Sequence, residues 1–476
     1  MIDLFLLSEA ISAFILNLFT GFYLILALQW YSYKLSRVFF HFARPFWHIY
    51  FIIVPWFMYI LVPQFFIIFA AVFLLFFIFW YKKLDKKLVF TSKVKVFLSL
   101  LVSLSLIFSL SSYVFEFRAN LLALVCALVA LKYFDLYQKR KFIKLAQNKL
   151  AKLDQLTIIL ITASYGKTSM KKFLYELLKY DFLTHATPRS VNTLLGVVKD
   201  INENLNPNTQ IYIAEAGARQ KGDILELTQL LNPQICIVGE IGQAHLEYFK
   251  SKENIRATKL ETLQSKRLKK AFLHSSTLMQ ENETQVIYDT KLSSAKASLK
   301  GLEFSLKFDD IKQDFQTNLL GEFNAQNLCA CIFVAKFLGL SLERLKTKVQ
   351  TLQSVEHRLQ IITKEPKFII DDGFNGNFKG MKQSYELCKS YKGRKVLVTP
   401  GIIEVSRAQN EALASIINEC FDFVIIIGES NAALLNACLK IEKLVLKDKN
   451  ELVQNLATHT KNGDLILFSN DTPSFM

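Results

Sequence analysis

Hydrophobic positions are unevenly distributed along this chain. Up to about residue 135 they form long, nearly charge-free runs separated by short links; after Lys152 they form short β-branched runs alternating with stretches of helical periodicity. Crossing a hydrocarbon core takes about 20 apolar residues. Five runs approach that length: Ile11 to Trp30, Trp47 to Val62, Phe65 to Trp80, Val96 to Phe115, and the shorter Asn120 to Phe134, which contains Lys132. The links after the first and third runs and the segment after the fifth are strongly basic, whereas the turn at Pro63 is uncharged and the 116–118 link is neutral. Basic loops stay on the cytoplasmic side. The alternation therefore predicts a polytopic membrane domain over residues 1–145, about five helices with the N-terminus outside, and a cytoplasmic remainder. Trp30, Trp47, Trp80 and Tyr81 stand at predicted ends, where amphipathic rings favour the interface. No acidic or histidine residue falls in mid-run, which predicts an anchor or docking surface rather than an ion path.

Beyond Lys152, "LTIILIT", "QIYIAEAG" and "PQICIVGEIG" read as buried parallel strands with helices between them. A second set starts at Lys367 with "KFIIDD", "KVLVTP", "FVIIIG", "KLVLK" and "DLILFS", and Leu320 to Leu340 reads as a helix entered from a loop. The fold class predicted is α/β, in two units spanning 146–361 and 362–476.

Composition changes this picture only in detail. The 41 phenylalanines sit disproportionately in the first third, so the apolar excess belongs to the predicted membrane domain. The net charge of +16 lies largely in blocks beside apolar runs, such as Lys82, Lys83, Lys86 and Lys87, or Lys139, Arg140, Lys141 and Lys144. That is the pattern of contact with membrane lipid and not of a nucleic-acid face. Seven cysteines without a CxxC pair suggest neither a zinc site nor a disulfide framework.

Candidate chemistry begins at "ITASYGKTSMKKFL", Ile161 to Leu174, a strand that breaks at small residues and runs on as a helix. Phosphates need backbone N–H groups at a helix start, a lysine for the outer phosphates and a hydroxyl for magnesium. Gly166, Lys167 and Thr168, flanked by Ser164 and Ser169, supply these, although Ala163 stands where such loops open with glycine, a substitution penalised if that position needs positive φ. Glu215 ends the next strand, His245 follows a third, and Lys259 lies fourteen residues further on.

With "SVNTLLGVV", "EAGARQKGDI", "IGQAHLEYF", "GEFNAQN", "EHRLQ", "IIDDGFNGN" and "VTPGIIEV" in the same order, residues 155 to 470 resemble the Mur ligases, the ATP-dependent amide-forming enzymes of peptidoglycan synthesis. Within that family the chain is similar to the type that adds D-alanyl-D-alanine to the UDP-N-acetylmuramoyl tripeptide. The resemblance implies a P-loop central domain and a Rossmann-like C-terminal domain; taken with the apolar runs, the expectation is a multi-pass protein of the bacterial inner membrane with its catalytic domains on the cytoplasmic side. It implies that ATP phosphorylates the substrate carboxylate and that the dipeptide amine then attacks the acyl phosphate. Lys167 would stabilise the moving phosphoryl group; Thr168 and Glu215 would hold one Mg2+; His245 and Lys259, the latter carbamylated by CO2, would hold a second. Asn324 and Asn327 match the nucleotide-binding asparagines, Arg358 and Asp371 the ATP clamp, Asn192 and Thr193 the muramoyl-facing segment, and Asn375 and Asn377 the dipeptide approach.

The chain departs from the family at Ala163, at Phe323 in place of a histidine, through "DDGFNGNF", in lacking an evident C-terminal Lys-Gly-Ser element, and in carrying an apolar domain where family members bind the uridine nucleotide. Two alternatives stay open: a folylpolyglutamate- or cyanophycin-type ligase, and a non-catalytic membrane scaffold. Membrane enzymes of precursor synthesis are the further partners implied.

Overall fold

A computed structural model of the chain describes all residues except 1–3, 32, 34, 41–45, 85, 116–121, 243–248, 310, 375, 403–405 and 471–476. It divides into two compact units, Met1–Phe142 and Ile143–Met476.

Among its described residues the first unit is helical: Leu4–Trp30, Leu35–Phe40, a composite Phe46–Leu61 with a π-helical stretch at Ile49–Ile53, Phe66–Lys82, Ser92–Phe115 and the start of Leu122–Leu150. Of the five predicted runs, two lie in helices long and apolar enough to cross a membrane, Leu4–Trp30 and Ser92–Ser111. Phe46–Leu61 and Phe66–Lys82 are apolar but shorter. The fifth run is the first half of a 29-residue helix whose second half carries Lys139, Arg140, Lys141, Lys144 and Lys149. The first helix starts seven residues before Ile11, which brings Glu9 inside it as a buried side chain. The tryptophans also differ from expectation. Trp47 packs edge-on against Trp80 (5.1 Å) and at a tilt to Trp30 (6.1 Å), and Trp80 packs on Phe51 at 4.2 Å, so these rings build the unit's core as well as marking helix ends. Outward-facing positions stay apolar, including Ile53, Phe57, Ile60, Ile68, Val72, Leu75, Phe79, Ile107 and Leu110.

Among its described residues the second unit holds three sheets. Six parallel strands, β1 (Thr157–Thr162), β2 (Thr184–Ala186), β3 (Ile211–Ala216), β4 (Ile235–Val238), β5 (Lys270–Leu273) and β6 (Gln285–Ile287), lie in the order β2-β3-β1-β4-β5-β6. Both faces are covered. Ile159, Ile161, Ile213 and Ile237 pack with the helices Lys167–Leu178 and Phe323–Phe337, while Ile158, Leu160, Tyr212, Ala214 and Val238 pack on the opposite side. This two-sided burial explains the unbroken apolar runs in the sequence. Ile143, Ala146 and Leu150, the end of the long helix, belong to the second of these cores.

An antiparallel sheet of β7 (Leu292–Ser298), β8 (Gly301–Phe308) and β9 (Ile311–Thr317) follows, then β10 (Gln360–Thr363), β11 (Phe368–Asp372), β12 (Lys395–Thr399), β13 (Phe423–Ile427), β14 (Glu442–Leu446) and β15 (Leu465–Ser469) in the order β10-β11-β15-β12-β13-β14. All of that last sheet is parallel except β10 against β11. The antiparallel sheet was not foreseen, because "LSSAKAS" carries little apolar signal.

Candidate active site

In the first sheet β1 has β3 on one side and β4 on the other, so chain connections leave it in opposite directions. A crevice opens at the carboxyl ends of the strands at such a switch point, which is where ligands bind in open α/β sheets. The segment after β1 occupies it. Gly166 sits at φ +76° as the N-cap of helix Lys167–Leu178, and a Cβ there would meet Asn327 Oδ1 at 2.5 Å. Only glycine meets both demands without strain. Positive φ falls on Gly166 and not on Ala163, which is fully buried and packs where Gly239 leaves room for it. The alanine therefore costs the loop nothing in backbone strain. Ser164 donates its N–H to Glu240 O (2.9 Å) and its hydroxyl to Gly242 O (3.2 Å), which ties the loop to the end of β4.

Glu215, fully buried at the end of β3, accepts from Thr168 Oγ1 at 3.2 Å. Its other oxygen pairs with Lys171 Nζ at 2.7 Å, an ion pair at an angle outside hydrogen-bond geometry. Lys171 also donates to Thr187 O (2.5 Å) and to the carbonyl of Arg189. Sequence reasoning missed Lys171, although its place four residues after Lys167 puts it on the same helical face.

Two lysines of this region are pulled below the ordinary lysine range. Burial pulls the Lys167 ammonium down to about 8, Glu215 opposing and Arg358 adding to the effect. Lys167 Nζ is held by Ala163 O at 2.7 Å. Burial, reinforced by the charge of Lys167, pulls Lys259 down to about 7. Lys259 lies on helix Lys252–Leu260, and Glu261 just beyond it caps helix Asp223–Leu231 by accepting from Gly222 N (2.8 Å) and Leu225 N (3.0 Å). That contact ties the "EAGARQKGDI" segment to the lysine-bearing helix.

The loop lines a cavity of about 350 Å³ together with Asn192, Glu240, His274, Tyr288, Asn327, Arg358, Asp372, Phe374 and Asn377. Burial lowers the Arg358 guanidinium, with Glu215 and Asp372 opposing. His357 and Leu359, on either side of Arg358, both have positive φ, +59° and +49°. Across the cavity mouth Lys379 pairs with Glu240 at 2.7 Å.

Of the predicted site residues, Ser164, Gly166, Lys167, Thr168, Ser169, Asn192, Asn327, Arg358 and Asn377 line this one cavity. Glu215 touches it through Thr168. Asn324 is buried behind it, donating to Leu320 O (2.8 Å) and accepting from Asn327 (3.2 Å). Thr193 is the N-cap of helix Leu194–Asn204 and lies off the cavity wall. Asn377 also accepts from Gly380 N at 2.8 Å, capping its own helix. Asp371 and Asp372 are neighbours on β11 and so point to opposite faces. Asp371 pairs with His357 at 2.5 Å, and Asp372 is the one lining the cavity. His245 and Asn375 lie outside the described residues. Among the described residues no group of three or more His, Cys, Asp or Glu forms a ready metal cage. The donor set that is present, a hydroxyl and a carboxylate beside a phosphate-type loop, is nevertheless all-oxygen, as Mg2+ prefers.

Residues 161–335 match the Mur ligase middle domain family. The UDP-N-acetylmuramoyl-tripeptide–D-alanyl-D-alanine ligase of Bacillus subtilis (strain 168) is 28% identical over 334 residues, covering 65% of this chain and 72% of that protein. Among solved structures, MurF from Acinetobacter baumannii superposes with a TM-score of 0.63 at 23% identity, covering 70% of this chain and 78% of the other. The MurF ligase from Thermotoga maritima in complex with ADP superposes with a TM-score of 0.61 at 23% identity, covering 70% and 80%.

Proposed function

We infer that this chain, which belongs to the Mur ligases, joins D-alanyl-D-alanine to UDP-N-acetylmuramoyl-tripeptide at the expense of ATP. The single observation that carries the reading is the convergence on one cavity of a glycine-capped phosphate loop, Lys167, Thr168 with Glu215, Asn327 and Arg358. In the first step a carboxylate oxygen of the tripeptide attacks the γ-phosphorus and ADP leaves. Lys167 and the amides at the start of helix Lys167–Leu178 stabilise the charge that spreads over the transferring phosphoryl group. In the second step the dipeptide amine attacks the acyl carbon, the tetrahedral intermediate expels phosphate, and the amine proton is lost to solvent.

Thr168 and Glu215 would hold one Mg2+, and His245 with a carbamate on Lys259 a second; when bound, the cations neutralise phosphate charge. The lowered Lys259 supports that role, because only the uncharged amine reacts with CO2. Arg358 and Asp372 clamp the nucleotide between the two larger sheets, and Asn192 faces the muramoyl substrate. The outward apolar side chains of the first unit support its burial in a bilayer as a multi-pass anchor of the bacterial inner membrane, since exposed patches of that size are penalised in water. Anchoring would raise the local concentration of product for a membrane enzyme that uses it next.

The test is ADP release by the purified chain with the muramoyl tripeptide and a panel of acceptors. D-Alanyl-D-alanine alone should drive turnover. Turnover driven by glutamate or another single amino acid would move the chain to a different ligase type.

A further inference from the structure

Lys171 lies off the cavity wall, yet it joins the two sides of the site. It stands one turn after Lys167 on helix Lys167–Leu178 and is 4% exposed. Its ammonium donates to Thr187 O at 2.5 Å and to the carbonyl of Arg189, and its charge faces Glu215 Oε1 at 2.7 Å. Glu215 belongs to the phosphate side, through Thr168 Oγ1. The two carbonyls belong to the other side. They open the segment 187–192, whose Ser190 and Asn192 line the cavity.

That segment needs holding. Arg189 has φ +45°, a conformation that costs a non-glycine residue and persists only where its surroundings impose it. The two ends of the segment are fixed at β3, where Thr187 N donates to Ile213 O (3.0 Å) and Asn192 O accepts from Gly217 N (2.8 Å). Val191 N donates to Pro188 O at 3.1 Å, which closes the turn on itself. Among the described residues, the hydrogen bond that ties 188–191 to another element is the one from Lys171 to the carbonyl of the left-handed Arg189. A charged donor makes that a strong hold. We propose that Lys171 is a positioning residue for the muramoyl side of the site. It fixes the turn at Arg189, and with it Ser190 and Asn192, while Glu215 on the nucleotide side balances its buried charge. The proposal rests on the ligase reading above, in which Asn192 faces the muramoyl substrate.

Arginine at 171 separates the two duties. It keeps a cation beside Glu215, but its planar fork cannot serve a carboxylate and two carbonyls around one nitrogen, as an ammonium does. The full-length chain would be titrated by calorimetry with UDP-N-acetylmuramoyl-tripeptide and, separately, with ADP in Mg2+, and amide hydrogen exchange would be read over residues 187–192. Lys171→Arg should weaken the muramoyl tripeptide about tenfold or more, the worth of one charge-assisted hydrogen bond. It should speed exchange at Ser190 and Asn192 and leave the Kd for ADP within about twofold. Lys171→Met serves if the arginine variant does not fold, and its muramoyl loss should exceed its change for ADP by the same factor. Equal losses on both ligands, or variants with wild-type muramoyl affinity and unchanged exchange, would overturn the assignment. A wild type that binds ADP but not the muramoyl tripeptide would overturn the ligase reading, and the role of Lys171 with it.

Discussion

Removing dissolved CO2 should switch this protein off near neutral pH, and the reason lies in Lys259. An ordinary lysine near 10.5 is uncharged in about three molecules in ten thousand at pH 7, whereas one lowered to about 7 is uncharged in about half, a gain of roughly a thousandfold in reactive amine. Burial beside the Lys167 ammonium causes the shift. The sign is fixed by which form reacts: the amine adds to CO2 and releases a proton, so acid opposes modification twice. Between pH 7 and pH 6, at constant dissolved CO2, the free amine falls about fivefold and the released proton costs about a further tenfold in carbamate, as long as the site is unsaturated. The assay is initial ADP release from pH 6 to 8.5 under controlled CO2, with 13C NMR of 13CO2-treated protein to detect the carbamate carbon. Activity should rise with pH and with CO2 together, and Lys259→Met should lack both the signal and the dependence. Full activity in CO2-free buffer, or activity retained by Lys259→Met, would refute the reasoning.

Gly166→Ala should lower the melting temperature, because an L-residue at φ +76° costs about 1–2 kcal/mol and its methyl would also collide with Asn327; scanning calorimetry reads this, and ADP should lose its stabilising effect in the variant. Lys171→Met leaves the buried Glu215 carboxylate without its cation and should destabilise by about 3–5 kcal/mol in urea titration. Reversing either charge of the half-exposed Glu240–Lys379 pair should raise the KM for ATP about two- to fivefold, within the modest worth of such pairs. The double swap E240K/K379E should restore it, and added salt should mute the difference. Cutting before Ile143 should spare ligase chemistry in vitro while lowering precursor flux in cells. The cut must not go deeper, since Ile143, Ala146 and Leu150 belong to the core of the second unit.

Legibility in the sequence followed the physics of each element. Strands β1, β3 and β4 of one larger sheet and β11 to β15 of the other were readable because burial writes them as nearly unbroken apolar runs, and the phosphate loop because its glycine, lysine and threonine each answer a separate chemical need. The strands β2, β5, β6 and β10, only three or four residues long, and the sheet of β7, β8 and β9 were not, since short and one-sided strands carry little periodic signal. Ala163 looked like a defect because spacing alone does not reveal which loop residue takes positive φ; the structure assigns that to Gly166. Asp372 could not be told from Asp371 without knowing which face of β11 looks into the cavity. The 29-residue helix Leu122–Leu150 concealed where the first unit ends, since a single element continues through the division between Phe142 and Ile143.

The central claim is coupling of nucleotide cleavage to one peptide bond, and the direct measurement is stoichiometry. The purified chain, given ATP, Mg2+, CO2, UDP-N-acetylmuramoyl-tripeptide and D-alanyl-D-alanine, should form one UDP-muramoyl-pentapeptide, identified by mass, for each ADP and phosphate released, and Lys167→Ala should abolish all three together. Release of ADP without the pentapeptide, or no release with every component present, would contradict it.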